Sequence, residues 1–249
     1  MLPLHDDNPT HRLAILTYIL IALNVAIFAW QSTKPNPLEF RSQSEFDASQ
    51  TALVCQFGVV PDRLTSGSDA TPADACIEAN TKESRWITLI THQFIHGGWA
   101  HLLGNMLFLF IFGNNVEDRL RRIKFLPFYL ACGVAAAVGQ IIADPNSQSL
   151  LIGASGAISG VLGAYLVMFP KARVLALVTI IPLRLPAWIV LGAYFAFQFF
   201  YVSRESGTEG GGGVAYWAHI VGFAAGVALA LAIGRGKRPP PRTPSPTYG

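Results

Sequence analysis

Charge is scarce in this sequence: 13% of its 249 residues are Asp, Glu, Lys or Arg, where an ordinary soluble domain carries roughly 25%. That deficit excludes an average water-soluble globule. With 51% hydrophobic residues and a mean hydropathy of +0.40, the chain reads as a membrane protein. The formal net charge is only +3, which gives no reason to expect a nucleic-acid partner. Cysteine is scarcer still, with Cys55, Cys76 and Cys132 the three present. There is no internal repeat and no stretch that reads as a second, soluble domain.

What the sequence has in plenty is long apolar runs. Six are long enough to count as candidates for crossing about 30 Å of hydrocarbon: roughly 13–31, 101–116, 125–143, 153–169, 186–202 and 216–234. The expected fold class is therefore all-α, a bundle of six membrane helices. A further apolar stretch from Val174, "VLALVTIIPL", is too short and too interrupted by proline to span, and is expected along the interface. The first run is too long for the h-region of a signal peptide.

Lys and Arg in short loops mark the cytoplasmic side. They fall after the second run (Arg119, Arg121, Arg122, Lys124), after the fourth (Lys171, Arg173) and in the tail. The alternate loops, "ADPNSQSLL" and "RESGTEGGGG", carry one Arg between them. Both termini are thus expected in the cytoplasm, with runs two, four and six entering from outside. Residues 1–12 form a short N-terminal segment and 13–234 the membrane domain, with an outer loop over about 32–100. Residues 235–249 form a basic, Pro-rich tail expected to be disordered against anionic head groups. Cys55 and Cys76 in the outer loop could pair or stay free; Cys132, in the third run, is expected to pack.

Polar side chains inside such runs are costly and so are functional candidates. Three places stand out. His101 and Asn105 in "HGGWAHLLGN" are four apart and share a helix face. Ser155 sits in "GASGAISG" at the start of the fourth run, and His219 in "WAHIVGFAAG" lies one turn inside the sixth. All three sites fall near the outer ends of runs that begin outside, hence at similar depth. A serine hydroxyl needs a base to become a nucleophile, and imidazole has the right affinity for the proton. The oxyanion that follows needs fixed donors, which an Asn amide, a His N–H and backbone amides provide. Gly156, Gly160 and Gly163 in one run and Gly222 and Gly226 in another would let the two helices approach closely.

These motifs resemble those of the rhomboid intramembrane serine proteases: "GASG" opening a span, "H-x-x-x-N" at the outer start of an earlier one, and "AH-x-x-G-x-x-x-G" in the last. The likeness runs from about Trp86 to Gly226 and includes "FGNNVEDRL". It implies a serine endopeptidase with a Ser–His dyad, Ser155 as nucleophile and His219 as base and then acid. His101, Asn105 and the backbone N–H of Ser155 would form the oxyanion hole, with Gly153 shaping its approach. The expected partners are the lipid bilayer and single-span transmembrane substrates, and the expected place is a bacterial inner membrane. The resemblance gives Glu117 and Arg119 a structural role, and it implies no cofactor and no metal. An inactive client-binding relative is the alternative, although such proteins would be expected to lack the Ser or the His.

Two departures from the family pattern stand out. Ser159 occupies the place, four residues after the nucleophile, where many members have an aromatic that stacks on the base. Ile87 and Thr88 stand where many have a Trp-Arg pair, with Arg85 and Trp86 close by. A zinc site is disfavoured because Gln93 follows His92 where the metalloprotease pattern needs Glu, and His92 and His96 more simply shape the outer loop. A transporter is disfavoured because no charged pair lies at the midplane. The loop "RESGTEGGGG" and the fifth run are expected to move when substrate enters.

Overall fold

The computed structural model describes residues 2–33, 54, 56–66, 85–147, 149–205 and 216–233, with only the backbone described over 197–205. Cys55, Cys76, "GTEGGGG" and the basic tail lie outside the described residues.

Each of the six apolar runs carries helix. They are α1 (Ile15–Ser32); a bent second segment; α6 (Arg122–Ala143); α7 (Ser155–Met168); α8 (Ala187–Glu205); and α9 (Tyr216–Ile233). Two short helices, α2 (Pro61–Thr65) and α3 (Thr88–Thr91), belong to the segment between the first two runs. The second run is built from α4 (Trp99–Phe108), a π-helical turn at Leu109–Gly113 and α5 (Asn114–Leu120). The preceding Arg85–Phe94 meets it at 79°. By length and composition α1, α6 and α9 could each cross a membrane, and the bent pair adds a fourth candidate. The helix α7 has 14 residues, about 21 Å, shorter than the roughly 30 Å thickness of a bilayer's hydrocarbon core.

That short helix is the centre of the molecule. Every residue from Gly156 to Tyr165 is buried, as expected for a helix apolar on all sides. The helices α6 and α9 pack along it, and glycines make the fit. A Cβ on Gly222 would run into the Gly156 carbonyl, one on Gly226 into the Gly160 carbonyl, and one on Gly163 into the Phe223 carbonyl. On the other flank a Cβ on Gly156 would meet the Ala136 Cβ at 2.6 Å. Backbone therefore lies against backbone, the arrangement that small residues permit between membrane helices.

The start of α1 has no cap of its own. Glu117 of α5, 2% exposed, serves instead: its carboxylate accepts the N–H of Leu16 at 3.0 Å and of Thr17 at 2.7 Å, and the Thr17 hydroxyl at 2.8 Å. An anion at a helix N-terminus satisfies open donors and complements the dipole. Arg119 approaches the face of Phe169 at 6.0 Å. Both residues thus do structural work at this end.

The stretch from Val174 is more ordered than the sequence suggests. It forms an antiparallel hairpin of β2 (Arg173–Val178) and β3 (Ile181–Pro186), closed by a two-residue turn with Thr179 at φ 58°. The N-terminal β1 (Leu2–Asp6) pairs with β2 to complete a sheet of order β1-β2-β3. Burial alternates along β2, with Val174 and Ala176 inward, the period of two expected of a strand. Pro182 sits on the edge strand β3, where a missing N–H is tolerated. This sheet is an addition to an otherwise helical fold.

Candidate active site

Ser155 is the first residue of α7, preceded by Ala154 and Gly153. Gly153 has φ 106°, a conformation that disfavours any side chain. A Cβ there would also stand 2.7 Å from the His101 ring. Its N–H donates to the His92 carbonyl at 2.8 Å, which ties the start of α7 to the loop ahead of α4. The helix start leaves the first-turn N–H groups without intrahelical acceptors, beside the Ser155 hydroxyl.

His219 lies in the first turn of α9 and is 5% exposed. Its Nε2 is 2.8 Å from Ser155 Oγ. The two residues come from chain positions 64 apart, brought together by the close α7–α9 packing. Ser159, where an aromatic would have stacked, is itself buried. A side chain of α6 bonds to the backbone beside the histidine: Gln140 Oε1 accepts the N–H of Ala218, next to His219, at 3.3 Å. Below it, a Cβ on Gly139 would stand 2.5 Å from Val221. Gln140 was not singled out from sequence; a lone glutamine near the end of an apolar run was the available signal.

His101 and Asn105 of α4 face Gly153. The Cε1 and Nε2 atoms of His101 lie 2.7 Å, and Asn105 Nδ2 3.4 Å, from the point where a Gly153 Cβ would be. The Asn105 Nδ2 is buried with no hydrogen-bond partner among the described residues. Such a donor is costly unless something accepts from it. His101 Nδ1 accepts from the Gly97 N–H at 3.5 Å. The structure therefore brings together Ser155, His219, His101, Asn105 and Gly153, all five of the residues singled out from sequence.

His92 and His96 are both buried but differently engaged. His92 Nδ1 lies 2.8 Å from the Thr88 carbonyl, whereas the His96 ring packs edge-on against His101 with centroids 5.2 Å apart. An apolar cavity of about 470 Å³ opens beside His219 between α8 and α9, with Trp188, Leu191, Phe195 and Ile220 in its walls. On the other side of α8, Tyr194 meets Phe108 of α4 at 5.0 Å between ring centroids.

A helical membrane bundle with a part-buried Ser–His pair beside two polar donors defines the class. The Rhomboid domain sequence model matches residues 83–236, more than half of the chain, and the protein belongs to the rhomboid family. It is similar to the Bacillus subtilis rhomboid protein YdcA, 37% identical over 83 residues, covering 33% of this chain and 41% of that one. It is 33% identical over 82 residues to RHOMBOID-like protein 5 of Arabidopsis thaliana, 33% of this chain and 26% of that one. With the rhomboid protease GluP of Bacillus subtilis it shares 28% identity over 164 residues, 66% of this chain and 26% of that one. The matches thus span well under half the length of these relatives. The family consists mostly of serine proteases and also has inactive members, so membership supports a protease-type function within the membrane.

Proposed function

We propose that this rhomboid is an active intramembrane serine endopeptidase. It hydrolyses a peptide bond in or near the transmembrane segment of single-span membrane proteins. The observation that carries this reading is the 2.8 Å approach of His219 Nε2 to Ser155 Oγ.

In the proposed reaction Nε2 takes the hydroxyl proton as Oγ bonds to the scissile carbonyl carbon. His219 then gives that proton to the leaving amine nitrogen as the C–N bond breaks. Water, activated by the same imidazole, releases the acyl group from Ser155. The carbonyl oxygen, negative in both tetrahedral intermediates, is received by His101, Asn105 and the backbone N–H of Ser155. Gly153 keeps the approach clear. The unpartnered Asn105 amide supports this, since donors placed ahead of time are what such a site requires.

The expected topology fits the chemistry. Six spans with both termini in the cytoplasm of a bacterial inner membrane would place Ser155 toward the outer side. Because α7 is short, its start would lie below the membrane surface. Transmembrane substrates would reach it from the bilayer by a shift of α8 away from α4, where Tyr194 and Phe108 meet. The proposal involves no nucleic acid, metal or cofactor. The alternative of an inactive, client-binding relative is disfavoured by the presence of both Ser155 and His219.

The test is cleavage of a transmembrane reporter by the purified, reconstituted protein alongside Ser155→Ala and His219→Ala. Both variants should be inactive while binding the reporter. Cleavage that persists in Ser155→Ala removes the dyad from consideration.

A further inference from the structure

Gln31 lies in the last turn of α1, a helix that contributes no group to the dyad or to the oxyanion donors. It is buried, at 3% exposure. Its side-chain amide pairs with the backbone of His96 in both directions. Nε2 donates to the His96 carbonyl at 2.7 Å, and Oε1 accepts the His96 N–H at 3.3 Å. One side chain thus offers the loop what a neighbouring β-strand would offer.

The segment it holds touches both walls of the candidate oxyanion hole. At its start the His92 carbonyl accepts from Gly153 N–H at 2.8 Å. At its end Gly97, the residue after His96, donates its N–H to His101 Nδ1. A neutral imidazole whose Nδ1 accepts must carry its proton on Nε2, and Nε2 is on the edge that faces Gly153. Between these two points the His96 ring packs against His101, with interplanar angle 66°. A stretch of six residues therefore sets the tautomer and tilt of His101 and the position of Gly153. Gln31 anchors that stretch to the first helix.

We infer that Gln31 is a positioning residue for the oxyanion hole, acting through the His96–Gly97 backbone on the tautomer and tilt of His101. The assignment rests on the protease reading above. It gives the first helix a part in turnover although its side chains stand apart from the nucleophile. A residue of this kind changes the rate of the chemical step rather than substrate affinity, because His101 is needed where charge develops.

The experiment uses the full-length protein in proteoliposomes with a transmembrane reporter. Gln31→Met keeps the volume and removes both hydrogen bonds. Its kcat should fall about 10- to 100-fold, the order expected when catalytic groups are displaced slightly, with KM within about twofold of wild type. In a His101→Ala background the same change should cost nothing further, since residues acting as one unit are not additive. Gln31→Glu keeps the acceptor for His96 N–H but turns a carboxylate oxygen toward the His96 carbonyl; its kcat should fall as well, and it serves as the test if Gln31→Met does not fold. Wild-type kcat in the folded variant overturns the assignment, and so does an equal loss with and without His101. Ser155→Ala is run beside them. Activity there sinks the protease reading itself, whereas an inactive Ser155→Ala with an unimpaired Gln31 variant sinks only the role of Gln31.

Discussion

The carbonyl oxygen of Gly160 occupies the space that a Cβ on Gly226 would need. The obstacle is backbone, which cannot rotate away, so Gly226→Ala must push α9 off α7. Such overpacking costs about 1–3 kcal/mol. The same displacement separates His219 from Ser155, and reporter cleavage should fall at least about tenfold, as expected for a lost proton-transfer partner. Gly104→Ala is the control, because nothing lies within 4 Å of a Cβ there. It should be neutral or slightly stabilising in thermal unfolding, as alanine favours the helix by about 1 kcal/mol.

Asn105→Ala removes a donor that waits without an acceptor. Removing one donor of this type slows turnover by about 10²–10³-fold. Steady-state kinetics should place the loss in kcat with little change in KM. Unchanged turnover would assign the oxyanion to the backbone and His101 alone.

Cysteines in place of Phe108 and Tyr194, joined by a short bifunctional thiol reagent, would fasten α4 to α8. Cleavage of a transmembrane reporter should drop, while cleavage of a short soluble peptide should be spared. Equal loss on both substrates would mean that the crosslink disturbs the site and not the entry route.

Glu117→Gln keeps the shape of the α1 cap and removes its charge. Charged hydrogen bonds of this kind contribute about 1.5–3 kcal/mol, so thermal unfolding should come earlier. Hydrogen exchange at the Leu16 and Thr17 amides should quicken. Activity per folded molecule should stay near wild type, because this end of the bundle is remote from Ser155.

Asp6 offers a pH test. Its carboxylate accepts from the Tyr165 hydroxyl at 2.9 Å and from Asn115 Nδ2 at 2.8 Å. Burial nonetheless raises its pKa above the usual carboxylate value, outweighing these bonds and the nearby His5. The folded state then holds the proton more tightly than the unfolded chain. The contribution of Asp6 to stability is fully present below the unfolded pKa and declines as pH rises through the folded one. Asp6→Asn should gain on wild type as pH is raised across that window and lose the advantage in acid. Unfolding curves that stay parallel at every pH would contradict the shift.

The candidate site was legible because its residues violate the rule of the membrane. Ser155, His101, Asn105 and His219 are polar where apolar residues are expected, and the expected topology put them at one depth. The small residues of α7 and α9 were legible for the same reason, as a pattern that only close packing uses. The supporting groups were not legible. Gln31 and Gln140 act through the backbones of His96 and Ala218, and a side chain that bonds to backbone leaves no matching residue type to search for. The sheet was hidden too, since β1 lies over 160 residues from its partner β2 and only the fold brings them side by side.

The sheet passes into α8 with no linker: β3 ends at Pro186 and α8 begins at Ala187, whose N–H is bonded to the Ala172 carbonyl at 2.9 Å. The helix is therefore a lever with a fixed foot. Its 19 residues extend about 28 Å, so a tilt of about 10° at the foot carries the far end about 5 Å. A helix mounted in this way can open a passage at one membrane face while the opposite face stays sealed.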